Sequence, residues 1–417
     1  GADINEITAQ TPLTGRETAL IGQRVLRSLE TLGKPSIAAI NGFAWNFPML
    51  FYSYVLQRHK QRLQSALRIG SLVRFAFLGI AVSAFVATRW GATAAMLVFF
   101  GSLTLMASTA GGSAMAWQDL VGRTLPPARR GFFFGLREAV AGLSGFVGAT
   151  GLSFYLRNRA IDPAAKLHGS PSDYVLPFFF GALVYFGAWY ILTLVREPDW
   201  PVDGLPAGTG RAYYRETFNI LSTDRNFRTY VLIRCMLGAT GIFNVALFAS
   251  YAIKEFRIST AIVAGVFSAM SLLGRTVAGP IAGRIADRMG FKVPLLGGIS
   301  LLVVLLSIGI FLPHLGALIL PAFFVIYFLS GALNSAIWVA TFNLQLEFGR
   351  VEDRPRYIAL ASTLSAPVVL AATASSGFLV DIFSYRKVMA AALVVAVVVW
   401  AIVYRVFQDP RKALKAS

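Results

Sequence analysis

The 417-residue chain is poor in cysteine, histidine and charge, and each shortage removes a class of protein. Cys235 is the single cysteine, so no disulfide forms within the chain. With three scattered histidines (His59, His168, His314) it makes no ligand spacing for a metal, so neither a metal nor another cofactor is expected. Charged residues make up only 14% of the chain and hydrophobic ones 56%, with a mean hydropathy of +0.63. A soluble globular chain is about one quarter charged. Apolar surface on this scale exceeds what a water-soluble fold hides. No G-x-x-x-x-G-K-[ST] run is present, so ATP is not the expected energy source. No short apolar segment followed by a small-residue cleavage site marks a signal peptide.

What charge there is has one sign, with a net value of +18. Nucleic acid is not the expected partner, because the basic residues punctuate apolar runs instead of forming one patch among aromatics. A 19-residue hydropathy window gives eleven spans: 37–57, 70–88, 92–115, 134–156, 174–195, 229–251, 259–282, 293–312, 315–340, 357–380 and 387–407. The expected fold is therefore all-α, a polytopic membrane bundle in a lipid bilayer with 11 transmembrane helices. Taking the C-terminus as cytoplasmic puts 22 of the 38 Lys and Arg residues in inner loops and 8 in outer loops. That asymmetry sets the orientation.

The long polar loop 196–228 divides the chain into an N-terminal bundle of five spans (37–195) and a C-terminal bundle of six (229–407). Residues 1–36 precede the first bundle and a tail, 408–417, follows the second. The halves repeat. Ala128-Arg129-Arg130-Gly131-Phe132 corresponds to Asp353-Arg354-Pro355-Arg356-Tyr357, and Gly42…Pro48…Lys60 to Gly274…Pro280…Lys292. On this register the first half lacks the member that would precede residue 37.

Gly283-Arg284-Ile285-Ala286-Asp287-Arg288-Met289-Gly290-Phe291-Lys292 resembles the G-x-x-x-D-R-x-G-R/K loop of the major facilitator superfamily, departing from it at Phe291. Trp117…Pro126…Arg130-Gly131…Phe134-Gly135-Leu136-Arg137 resembles the loop between its fourth and fifth helices, whereas Tyr54–Lys60 lacks the Gly and Asp of the first-half motif. The resemblance covers about residues 41–410 and implies a monomeric secondary transporter of a small solute in the cell (inner) membrane. It further implies alternating access of two pseudo-symmetric halves, driven by an ion gradient, with the proton as the ion. A transport-inactive membrane protein or a chimera is the alternative.

The first forty-four residues resemble another family. Gly1-Ala2-Asp3-Ile4 and Lys34-Pro35-Ser36-Ile37-Ala38-Ala39-Ile40-Asn41-Gly42-Phe43-Ala44 are similar to the enoyl-CoA hydratase (crotonase) family. That family continues with a Gly-rich run supplying an oxyanion-hole N–H. Here Trp45-Asn46-Phe47-Pro48 follows, so hydratase activity is not expected and the chain is read as a non-enzyme. Arg16, Glu17, Arg24, Arg27, Glu30 and Lys34 keep residues 1–36 out of lipid, so the cavity is expected to have three of the family's four central helices and coupled transport to be weak.

A charge inside the bilayer costs about 2.5–3.5 kcal/mol even on a lenient scale, so Arg74, Arg137, Arg234 and Arg275 are functional candidates. Each has a second reading as a side chain snorkelling to the surface. The expected substrate cavity comprises Arg234, Asn244, Arg275, Asn334, Trp338 and Asn343, with Gln345 beside them. For the polar neutral members, interhelical hydrogen bonding is the competing role. The expected gate comprises Asp119 paired with Arg137, Asp287 at the helix beginning near Gly131, and Arg288 paired with Glu347. The loop charges give the first test: cysteines introduced at Arg89 and Lys412 should label from opposite sides of the membrane. Labelling from the same side would overturn the topology.

Overall fold

The computed structural model describes residues 43–59, 61–159, 171–197, 210–240, 245–259 and 262–411. In a bilayer every backbone N–H and C=O must find its partner within the protein, and the helix does this locally. Eleven α-helices lie wholly within the described residues: α1 (Met49–Gln57), α2 (Arg62–Thr124), α3 (Pro127–Arg159), α4 (Pro171–Thr193), α5 (Gly210–Thr223), α6 (Arg225–Thr240), α7 (Val245–Lys254), α8 (Ser268–Met289), α9 (Lys292–Phe311), α10 (Ile319–Glu347) and α11 (Arg354–Arg405). A π-helical turn, Ile262–Phe267, leads into α8. Expectations placed on residues 1–42, on Asn244 and on the tail from Lys412 lie outside the described residues.

Among the described residues, six helices are long and apolar enough to cross a membrane. Two are too long to cross once, since α2 has 63 residues and α11 has 52. At about 1.5 Å per residue, 63 residues would reach about 95 Å, three times the hydrocarbon thickness of about 30 Å. Each doubles back at one residue with a positive φ, Gly91 (81°) in α2 and Ser384 (71°) in α11. A glycine takes that conformation without a Cβ clash, which is why the first return is so short. Counting α2 and α11 twice and α6 with α7 as one passage gives eleven membrane segments, with α5 lying in the loop between the halves.

Two buried clusters lie within the second half. Phe248, Phe267, Phe323, Tyr327 and Met389 form one, and Phe227, Tyr230, Phe291, Phe348 and Phe407 form the other, at the arginine-rich end. A third cluster joins the halves, with Met49, Leu56, Met115 and Phe134 packed against Leu346 and Ile358. Large apolar side chains such as Phe75, Phe180, Leu183 and Val394 point outward, as lipid contact allows.

The most extensive helix contact among the described residues runs between the halves, from α3 to α8, whereas α3 barely touches α4. Small residues make it possible, because helices in lipid associate by close packing and not by expulsion of water. A Cβ on Gly135 would stand 2.2 Å from the Gly279 carbonyl oxygen, and one on Gly283 would stand 2.4 Å from that of Gly131. The contact continues to Gly142, where a Cβ would meet the Thr276 hydroxyl at 2.5 Å. Beyond it the helices part, since Gly148 and Gly151 have nothing within 4 Å of their Cβ positions. The halves are therefore closed at the arginine-rich end and diverge toward the other.

Gly135→Leu should lower stability by about 1–3 kcal/mol, the usual penalty of overpacking, whereas Gly148→Leu should be close to neutral. Thermal unfolding of the purified protein in detergent checks this. Equal losses would mean that the glycine seam is not the contact holding the halves.

Candidate functional site

A cavity of about 710 Å³ opens between the halves, lined by α1, α2, α3, α4, α6, α8, α10 and α11. Arg74 of α2, Arg137 and Glu138 of α3, Arg234 of α6 and Arg275 of α8 bring their charges to it. Trp117, Tyr185, Trp338 and Phe342 supply aromatic walls. Glu138 lies eleven residues inside α3, about 16 Å along the axis, and is only 2% exposed. Its carboxylate accepts a 2.6 Å hydrogen bond from Arg275 Nε across the interface and lies 3.4 Å from Arg137 Nη1. The Arg137 guanidinium sits over the rings of Trp117 and Trp338, 5.0 and 4.8 Å from their centroids. Trp338 in turn stacks on Phe342 at 4.4 Å.

Of the residues expected to form the cavity, Arg234, Arg275 and Trp338 line it. Asn334 and Asn343 do not. Asn334 is exposed and donates to the Ser330 carbonyl one turn back, at 2.8 Å, while Asn343 is fully buried and donates to Val339 at 2.7 Å. Both sides of α10 carry polar groups, and composition does not tell which side faces the cavity. Gln345 does line it, accepting from Gln118 Nε2 at 3.1 Å, and Gln118 also donates to the Phe342 carbonyl at 2.7 Å. Glu138 was the missed residue. The signal for it was present, since it is the one acid within the expected span 134–156.

At the arginine-rich end, Asp287 accepts from the backbone N–H groups of Gly131 and Phe132 at 2.8 and 2.7 Å. The carboxylate lies against the positive end of α3, as expected from the motif. Arg288 does not reach Glu347. It is exposed and makes no ion pair among the described residues, and Glu347 takes Arg130 at 3.3 Å and Arg411 at 3.8 Å instead. Asp287 and Arg288 are neighbours on one helix, about 100° apart, so a register that presents Asp287 to α3 turns Arg288 away from α10.

Asp119 does not pair with Arg137 either. Its side chain is completely buried, holding Arg62 at 2.6 Å and Arg123 at 3.2 Å. The return of α2 at Gly91 brings Arg62 level with Asp119, so this pair ties two legs of one half and does not span the gate. The spanning contacts belong to other arginines. Arg130 also donates to the carbonyls of Leu125, at 3.0 Å, and Gly122; Arg354 reaches Gly122 from the second half at 3.3 Å. Arg411, beyond α11, donates to Ala286 at 3.3 Å and to Pro127 of α3. In the connecting loop, α5 is pinned by Tyr213, which donates to Ser53 Oγ at 2.9 Å beneath the Arg356 guanidinium. Burial pushes its phenol pKa up, and the Ser53 hydrogen bond and Arg356 partly counter that.

Breaking one partner of a buried ion pair costs about 3–5 kcal/mol, whereas an exposed surface change stays within about 0.5 kcal/mol. Arg130→Ala should therefore destabilise the protein severely and Arg288→Ala hardly at all, as read by chemical unfolding in mixed micelles. Similar losses for the two would refute the assignment of Glu347 to Arg130.

Residues 235–417 match the family profile of the Major Facilitator Superfamily. Among solved structures, the fold is similar to a bacterial homologue of the iron transporter ferroportin (14% identity, TM-score 0.56, covering 89% of this chain and 97% of that one). It is also similar to the human organic anion transporter MFSD10 (13%, 0.58, 88% and 83%) and to the E. coli fucose:proton symporter FucP (17%, 0.54, 88% and 97%). A separate stretch of 44 residues is 50% identical to a short-chain-enoyl-CoA hydratase of Clostridium acetobutylicum, covering 11% of this chain. The chain spans only 17% of that relative's length. The hydratase match is thus confined to a short segment, while the helices, the interface between the halves and the loop at Asp287 extend over the rest. Residues 235–417 thus resemble the Major Facilitator Superfamily in sequence, and the fold of the described residues is similar to that of these solved transporters.

Proposed function

We propose that the protein is a secondary active transporter that moves a small solute by alternating access and couples this movement to protons through Glu138. The observation that carries this reading is the Glu138–Arg275 pair, a buried carboxylate on one half bonded at 2.6 Å to an arginine on the other. Protonating Glu138 removes its charge and weakens the bond that spans the halves. Protonation thereby changes the relative free energy of the closed and open arrangements, which is what a coupled carrier requires. The volume of about 710 Å³ falls in the range of about 300–1,000 Å³ typical of small-molecule sites. One similar structure is that of a fucose:proton symporter and another was captured in an outward-facing state.

In this reading the arginine-rich end is cytoplasmic, the membrane is the cell (inner) membrane, and one chain is the working unit. The moving bodies are residues 37–195 and 229–407, joined by 196–228. The hydratase-like segment does no catalysis. The contacts of Asp287 with α3 and of Glu347 with Arg130 hold the closed cytoplasmic end, and they separate when that end opens.

The test uses spin labels on cysteines introduced in a Cys235→Ser background, one pair at 129 and 350 and the other at 154 and 257. Acidification should lengthen the first distance and shorten the second, and Glu138→Gln should hold both at the acid values. Two distances that move in the same direction would refute alternating access. A normal pH response in Glu138→Gln would refute coupling through that residue.

A further inference from the structure

We infer that the solute is an organic oxyanion with an apolar or aromatic body, a reading that rests on the transport function proposed for the same cavity. Four guanidinium groups, those of Arg74, Arg137, Arg234 and Arg275, line the cavity against the one carboxylate of Glu138. Arginine does not lose its proton in proteins, so the cavity cannot relieve this excess by neutralising itself. An anion entering it is the remaining source of compensating charge. Neither Arg74 nor Arg234 has an acidic partner among the described residues. Arg74 bonds the Gly70 carbonyl at 2.9 Å and lies over the Tyr185 ring, with its buried Nε left without a partner.

Glu138 shows how such an anion would be held. Its two oxygens face Arg275 at 2.6 Å and Arg137 at 3.4 Å, so one carboxylate bridges guanidinium groups from both halves. The two indoles lie against the face of Arg137, and its edge, where Nη1 meets Glu138 at 3.4 Å, has the fork that a carboxylate or phosphonate would take from Glu138. The cavity is far larger than an inorganic ion needs, and its walls are aromatic, so the anion carries a carbon body. A cation would be repelled. A neutral polyol would find the Gln118 amide nitrogen already donating to Gln345 Oε1, Gln345 Nε2 unpartnered but buried away from the cavity surface, and the Thr341 hydroxyl turned back to Ile337 at 2.8 Å.

Glu138 and the solute would compete for the same arginines, which gives substitutions of opposite sign. Purified protein in detergent is titrated with benzoate, phenylphosphonate, benzamide and benzylamine while its thermal unfolding is followed. Benzoate, phenylphosphonate or both should stabilise it saturably at millimolar concentration, their relative effect telling carboxylate from phosphonate preference, and benzamide and benzylamine should not. Arg137→Gln should weaken the apparent affinity about tenfold or more, the effect of losing a charged hydrogen bond. Glu138→Gln should strengthen it. Where Arg137→Gln fails to fold, Arg234→Gln on the other half replaces it, with the same expected loss.

Stabilisation by benzamide or benzylamine equal to that by the anions would overturn the inference. So would no response to either anion, or a shift of affinity in one direction by both Arg137→Gln and Glu138→Gln. Anion binding that leaves the label distances unmoved at every pH would sink the transport reading and keep the anion site. Label movement driven by benzylamine or benzamide alone would do the reverse.

Discussion

Where Gly131 and Gly135 of α3 face Gly283 and Gly279 of α8, the two backbones approach so closely that a methyl group on any of the four would collide. This approach positions most of what has been described. It carries Asp287 to the backbone N–H groups at the start of α3 and, two turns further on, Glu138 to Arg275. It sets Phe134 into the cluster that joins the halves and leaves Arg130 beside Glu347. Helices held apart by larger side chains, at the usual 8–10 Å between axes, would not bring these short side chains within bonding distance. The glycines thus determine which charges can meet.

Two layers of arginine follow, with different surroundings. Near the helix ends, Arg62, Arg123 and Arg130 are buried, and backbone carbonyls or carboxylates satisfy much of their hydrogen bonding. Deeper in, Arg137 and Arg275 keep a third or more of their side-chain surface open to the cavity. The first layer uses its charge to join segments of the protein. The second leaves charge available to something that is not protein.

Much of the fold was legible because lipid imposes a coarse and strict rule. Each crossing needs an apolar run of fixed length, so the helical fold and the odd count could be read from hydropathy alone. The Asp287 contact was legible too, because the acid stands in a run, Gly283–Lys292, whose spacing resembles a loop motif placed beside a helix start. The pairing of Arg288 with Glu347 was not, since it depends on the rotation of α8 about its axis, which the glycine seam fixes. Nor was the Arg62–Asp119 pair, whose members are separated by 57 residues and meet through the return at Gly91. Asn334 and Asn343 failed for a related reason. A helix apolar all round gives no periodic signal to say which of its few polar side chains look inward.

Arg411 follows α1–α11 in the sequence, yet it is bonded to Pro127 at the start of α3, to Ala286 near the end of α8 and to Glu347 at the end of α10. Synthesis runs from the N-terminus, so α1–α11 are all polymerised before this side chain exists. Until Arg411 emerges, the arginine-rich end lacks one of the cations that neutralise Glu347. A chain in synthesis therefore passes through a stage in which α1–α11 are all polymerised and the contacts that close the arginine-rich end are not complete, and the arrival of Arg411 ends that stage.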